Sequence, residues 1–226
     1  MVKQERAART RDTLIRSAAE VFDREGFPLA SLTAISTRAG VSSGALHFHF
    51  ASKSTLADVV EAEALARLLV VTGAELPAGA EPPASAEPSA GAGHVQLLID
   101  VTHGLAEALR ADVVLRAGFT LSGEPARPVR ADLRGHWRCW VEETVKRAEA
   151  EGELRPEVTA QDVVTAVVAA TVGFEVLGLR DAEWLAASTV ARFWRLLLPT
   201  LVPADRFAVL ETSGTGAVRD PAEGAL

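Results

Sequence analysis

The chain has no tyrosine, one cysteine and one methionine among its 226 residues, and aromatics make up only 5% of it. A single cysteine, Cys139, excludes an internal disulfide and fits a reducing compartment such as the cytoplasm. Scarce aromatics, set against a composition dominated by alanine, leucine and valine, favour helices over a sheet-built core. Apolar runs are interrupted by charged or polar residues before membrane-spanning length, so no membrane span is expected. The N-terminus is charged and lacks an apolar h-region, which argues against a signal peptide.

What is present is uneven in charge. Formal net charge is −7, but residues 1–53 carry +3 and residues 54–226 carry −10. A basic head on an acidic body points to a polyanionic partner for the head. Nearly half the residues are apolar, enough for a sizeable core.

Hydrophobic periodicity supplies the organisation. In residues 6–25, Leu14, Ile15, Ala18, Val21 and Phe22 recur at helical spacing, and Gly26 supplies a stop. Ser31 is a plausible N-cap for a short helix bearing Leu32, Ile35 and Ala39, which Gly40 ends. Ser42 or Ser43 caps a third helix. Two short helices joined by a glycine turn and preceded by a longer one make a helix-turn-helix. Ser52 then caps a long helix running to about Thr72.

Residues 73–93 are Pro, Ala, Gly, Glu and Ser almost throughout and read as a flexible loop. Helical patterning resumes at His94 and again over "VVLRAGFTLSGE". A further helix over 128–151 carries the stripe Leu133, Trp137, Trp140, Val141, Val145 and Ala148, with Gly152 as terminator. Residues 160–179 and 182–198 are apolar nearly all round, so a partner subunit is expected to cover them. The tail from 212 to 226 is polar and expected to be loose.

The most informative stretch is "VSSGALHFHFASK", residues 41–53. His47 and His49 on one strand face would suggest metal ligation, but no acidic or cysteine partner follows at ligand spacing. In a helix, Ser42, Ser43, Gly44 and Ala45 instead form a small-residue N-terminal end able to approach a groove, with free N–H groups for phosphate. The hydroxyls and His47 can bond phosphate or base edges. Phe48 and Phe50 are expected to face inward. Lys53, at the start of the next helix, is expected to form a second phosphate clamp. Cys139 is expected to pack as a small apolar residue. His103, His136 and the Glu142–Glu143 pair form no oriented catalytic set, so no catalytic residue, cofactor or metal is assigned.

With "AAEVFDREGF" and "SLTAISTRAGVSSGALHFHFASKSTL", residues 10–56 resemble the DNA-binding domain of TetR-family transcriptional repressors. "GALHFHFASK" and, more weakly, "HWRCWVEETVKRA" are similar to the γ-butyrolactone receptor group of actinomycetes, which includes pseudo-receptors answering to antibiotics or intermediates. The group usually reads "VTKGALYFHF", so Ser43 and His47 stand where a lysine and a tyrosine are usual. Loss of that lysine should lower the salt slope of DNA binding by about one unit.

The resemblance implies an all-helical homodimer with three regions. Residues 1–53 form the DNA-binding domain, 54–211 the ligand-binding and dimerisation domain, and 212–226 a tail. It implies palindromic operator DNA as one partner and a small apolar signal or antibiotic as the other. The candidate DNA contacts are Thr33, Ser42, Ser43, Gly44, Ala45, His47, His49 and Lys53. The candidate ligand contacts are Trp137, Trp140, Phe119 and Phe174, Trp137 matching a pocket tryptophan of the receptor group. The helix from Ser52 to Thr72 is the expected lever by which ligand and DNA weaken each other. Rival readings are a pocket-bearing enzyme and a DNA-binding architectural protein with no ligand.

Overall fold

The computed structural model describes residues 2–73, 93–125, 127, 128 and 130–216. The expected flexible loop thus lies, apart from Gly73 and Gly93, outside the described residues. Every regular element among the described residues is helical: α1 (Val2–Leu29), α2 (Leu32–Arg38), α3 (Ser43–His49), α4 (Lys53–Thr72), α5 (His94–Ala111), α6 (Val113–Ser122), α7 (Leu133–Ala150), α8 (Ala160–Gly178), α9 (Ala187–Leu201) and α10 (Ala204–Phe207). A 3-10 turn, Ala182–Leu185, precedes α9.

The chain divides into two compact units. The first comprises residues 1–68 and 112–134. Its core joins Leu14, Ala18 and Phe22 of α1 to Ile35 of α2, Leu46 of α3 and Phe50, and to Leu56 and Val60 of α4. Val114, Ala117 and Leu121 of α6 complete it. The expected boundary after residue 53 therefore falls inside this unit. A three-helix head of that length has too little surface of its own to bury, and α4 and α6 supply the missing cover.

α1 breaks where expected, at Gly26, whose φ of 75° is open to glycine and strained for other residues. α6 lies close to α4: a Cβ built on Gly118 would stand 2.1 Å from the Cβ of Ala64. Asp112 caps α6 by accepting from the Val114 N–H at 2.8 Å, and Arg116 pairs with Asp23 of α1 at 3.2 Å.

One polar cluster sits inside this apolar frame. Glu61 of α4 is fully buried, and Arg127 is 3% exposed at its side chain. Their Nη1 and Oε2 atoms lie 2.6 Å apart, and the same guanidinium also bonds Asp58. Burial pushes the Glu61 carboxyl above the usual carboxylate range, and the adjacent Arg127 opposes that shift.

The second unit comprises residues 69–111 and 135–226. Glu153, just past α7, accepts from the first N–H groups of α5, those of His94 and Val95, both at 2.9 Å. α7 buries Trp137, Val141, Val145 and Ala148 as its stripe predicts. It begins at Leu133 and not at 128. Pro128 and Asp132 both lie outside the helix. α8 opens on a reciprocal cap between Thr159 and Asp162, which holds the Asp162 carboxyl below its usual range through the Thr159 hydroxyl and N–H.

The expected helix over 182–198 is divided. Asp181 caps the 3-10 turn, Ala186 is extended at ψ 141°, and α9 starts after it. By length and hydropathy α8 would suffice to cross a membrane. Its stripe Val163, Val167, Thr171 and Phe174 is instead buried within its own unit, while Val176 and Leu177 are exposed.

The tail needs correction over its first residues. Asp100 accepts from the Thr215 N–H at 2.8 Å and from its hydroxyl at 2.7 Å. Gln96 accepts from the Glu211 N–H at 2.9 Å, and His103 contacts the Thr212 carbonyl at 3.0 Å. Residues 212–216 are thus tied to α5, and 217–226 lie outside the described residues. The polar character that suggested looseness is what supplies these bonds.

The buried cluster yields a stability prediction. Glu61→Leu alone leaves Arg127 buried with only Asp58 opposite, and should cost about 3 kcal/mol in urea denaturation. The double variant Glu61→Leu, Arg127→Met should recover most of that loss, since an apolar pair of similar volume replaces a desolvated ion pair.

Candidate functional site

The α2–turn–α3 segment is built by caps and one glycine. Ser31 accepts from the Ala34 N–H and Ser42 from the Ala45 N–H, each at 3.1 Å. Between them Gly40 adopts φ 66°, and the Val41 N–H donates to the Ser36 carbonyl at 3.1 Å. The turn is therefore closed by backbone bonds, and its geometry is set before any side chain packs.

Leu46 and Phe50 then fix α3 against the core. The opposite face is open: Ser42, Ser43, Gly44, His47 and Phe48 are exposed, with Ala45 and His49 half-buried. Thr33, in the first turn of α2, is exposed as well. Phe48 departs from expectation. It is 82% exposed, with Phe50 alone turned inward. Alternation is a strand rule. In a helix a two-residue step turns the side chain by about 200°, so 48 and 50 cannot share a buried face. The same step separates His47 from His49 and removes the strand-face metal reading.

Lys53 also departs from expectation. Its ammonium donates to the carbonyls of Phe27 at 2.7 Å, Ala30 at 2.9 Å and Pro28 at 3.3 Å. It stands 4.5 Å from the centroid of the Phe27 ring. The carbonyls at the end of α1 lack helical N–H partners, and they take up all three ammonium donors. The expected second phosphate clamp is a fastening of α1 to the start of α4. Ser52 caps α4 as expected, accepting from the Thr55 N–H at 3.1 Å.

Three of the four ligand candidates lie in the second unit. Trp137 is 1% exposed, and its ring stacks on Trp140 with centroids 5.2 Å apart. Its indole N–H donates to the Thr171 hydroxyl at 2.8 Å, which itself donates to the Val167 carbonyl. Phe174, one turn beyond Thr171 on α8, meets Phe193 edge-on at 5.7 Å. Phe119 is buried and belongs to the first unit.

Thr171 escaped sequence reasoning. Its signal is a hydroxyl one turn before Phe174 in the otherwise apolar stretch 166–174 of α8. Cys139, expected inside, is exposed, because a two-residue step along α7 turns it about 200° away from buried Trp137. An open groove of about 200 Å³ lies on α5, bounded by Asp100, His103, Glu107, Leu185 and Gly214. None of the four aromatic candidates borders it.

Residues 14–60 match the family described as bacterial regulatory proteins, tetR family. Over 218 residues the chain is 29% identical to the A-factor receptor protein of Streptomyces griseus, covering 95% of this chain and 71% of that protein. The fold is similar to a solved γ-butyrolactone receptor (ArpA-like protein), with TM-score 0.70, 26% identity, and 90% and 92% of the two chains covered. It is also similar to CprB of Streptomyces coelicolor in complex with its operator sequence, with TM-score 0.73, 27% identity, and 95% and 97% covered. The helix-turn-helix over residues 14–60 is a DNA-binding domain of the tetR family, and the chain as a whole is similar to regulators of the γ-butyrolactone receptor type.

Proposed function

We propose that the chain is a homodimeric, cytoplasmic repressor that holds a palindromic operator and releases it when a γ-butyrolactone-type signal binds the second unit. The observation that carries the reading is Gly44. It has an ordinary backbone, and a Cβ there would meet nothing nearer than the Ser42 oxygen at 3.9 Å. The fold does not ask for glycine, although glycine costs a helix roughly 0.5–1 kcal/mol relative to alanine. What glycine leaves is room for something outside the protein to approach the backbone between Ser43 and His47. A duplex groove suits that room.

The DNA contacts we assign are Thr33, Ser42, Ser43, Gly44, Ala45, His47 and His49, while Lys53 positions the elements behind them. A second copy would cover the exposed apolar flank that includes Val176 and Leu177 of α8 and Leu196 of α9, the last 80% exposed. Dimerisation also matches the two half-sites of a palindrome.

In the second unit, Trp137 and Thr171 offer the polar pair and Trp140 and Phe174 the apolar walls for a small lactone. Here the indole and hydroxyl satisfy each other, so an entering ligand has to exchange for that bond. By linkage, a ligand that weakens operator binding is itself weakened by the operator to the same degree.

The direct test is fluorescence anisotropy on a selected palindromic duplex, with synthetic γ-butyrolactones and then actinomycete antibiotics added. Release by a lactone supports the reading. Release by an antibiotic alone assigns the pseudo-receptor class. A ligand that binds tightly yet leaves operator affinity unchanged overturns the mechanism.

Three variants sharpen this. Gly44→Ala should melt at the wild-type temperature or above it, yet bind operator at least about tenfold more weakly, the loss expected when one close approach is blocked. Lys53→Met should lose about 1–3 kcal/mol of stability by stranding three carbonyls. Its plot of log affinity against log salt should keep the wild-type slope, whereas a phosphate contact would remove about 0.9. Trp137→Ala should bind operator normally but no longer be released by the lactone that releases the wild type.

A further inference from the structure

Phe48 has no role in the fold. It is 82% exposed, the highest exposure among the large apolar side chains of the chain's described residues. Among the rings of the described residues, it meets His49 edge-on with centroids 5.2 Å apart. The core under α3 is closed by Leu46 and Phe50 without it. Exposed aromatic surface is unfavourable in water and contributes nothing to stability here, so a contact outside the chain must account for its position.

That position is specific. Phe48 lies one turn beyond Gly44 on the open face and next to His47, which itself lies one turn beyond Ser43. The strip Gly44–Phe48 presents bare backbone followed by an apolar disc. In the major groove one base edge offers an apolar group, the C5-methyl of thymine, and phenylalanine is among the side chains that contact it. Phosphate oxygens and the purine edges present polar groups to this ring, and cytosine carries only a hydrogen at C5 where thymine carries the methyl.

We infer that Phe48 reads a thymine methyl in each half-site and so supplies sequence discrimination by apolar contact. The inference rests on the DNA-binding reading above and goes beyond it by naming the reading residue and the base. His47 and the hydroxyls beside it then serve the polar edges of neighbouring bases.

The test uses the full chain and a duplex it selects from a random pool. Each thymine of the half-site is replaced singly by deoxyuridine, which removes the methyl and nothing else. At one thymine the wild type should lose about fivefold in affinity. Phe48→Ala should bind the unmodified duplex about fivefold more weakly and show no further loss at that deoxyuridine. Phe48→Leu should restore part of the methyl dependence. Phe48 is exposed and its truncation leaves the core intact, which circular dichroism and thermal melting should show.

The inference is overturned if the wild type is indifferent to every replacement, if the selected half-site holds no thymine, or if Phe48→Ala keeps the full deoxyuridine penalty. Failure to select any duplex overturns the DNA-binding reading itself, and this inference with it.

Discussion

The first unit depends on how one aromatic ring is held. Phe27 lies just past the break in α1, and two cations stand within cation–π range of it: the Lys53 ammonium at 4.5 Å and the Arg127 guanidinium at 5.4 Å. Lys53 also takes the last carbonyls of α1, and Arg127 is paired with buried Glu61 of α4. The end of α1, the start of α4 and the segment after α6 therefore share one fixed point. α2 and α3 are strung between the end of α1 and the start of α4, so the direction of the open face of α3 follows from that point.

An ion pair buried this deeply is an unusual choice for stability alone, because desolvation offsets most of its attraction. It is better suited to fixing one arrangement. α4 continues past Leu68 into the second unit, and residues 112–134 leave and re-enter it at either end. A signal passing along the chain into the first unit must come by α4 or by that segment, and Glu61 with Arg127 ties the two together. A change in either is thereby shared with the elements that hold α3.

Much of this was legible in the sequence because it is local. Ser31, Ser42 and Ser52 cap as their spacing predicts, and Gly26, Gly40 and Gly152 take the positive φ that ends each helix. What was not legible depends on which partner wins at a distance. Lys53 reads as a free cation until the carbonyls of residues 27, 28 and 30 are seen beside it. Phe48 reads as core until the helical turn separates it from Phe50. The residues from Thr212 to Gly216 read as loose, because Gln96 and Asp100, more than a hundred residues earlier, carry no mark of being their partners. The burial of Trp137 was legible from its stripe, while its partner Thr171 was hidden by the apolar run around it.

These corrections change the character of the reading face. No lysine or arginine lies between Arg38 and Lys53, and Lys53 is occupied with carbonyls. α3 thus meets DNA with hydroxyls, bare backbone, imidazoles and a phenyl ring, and with no fixed positive charge. Residues 54–226 carry an excess of ten negative charges, which repels a duplex at long range. Counterion release gives sequence-independent affinity, and a face built this way draws little of it. Groups that discriminate among bases must then carry a larger share of the binding energy.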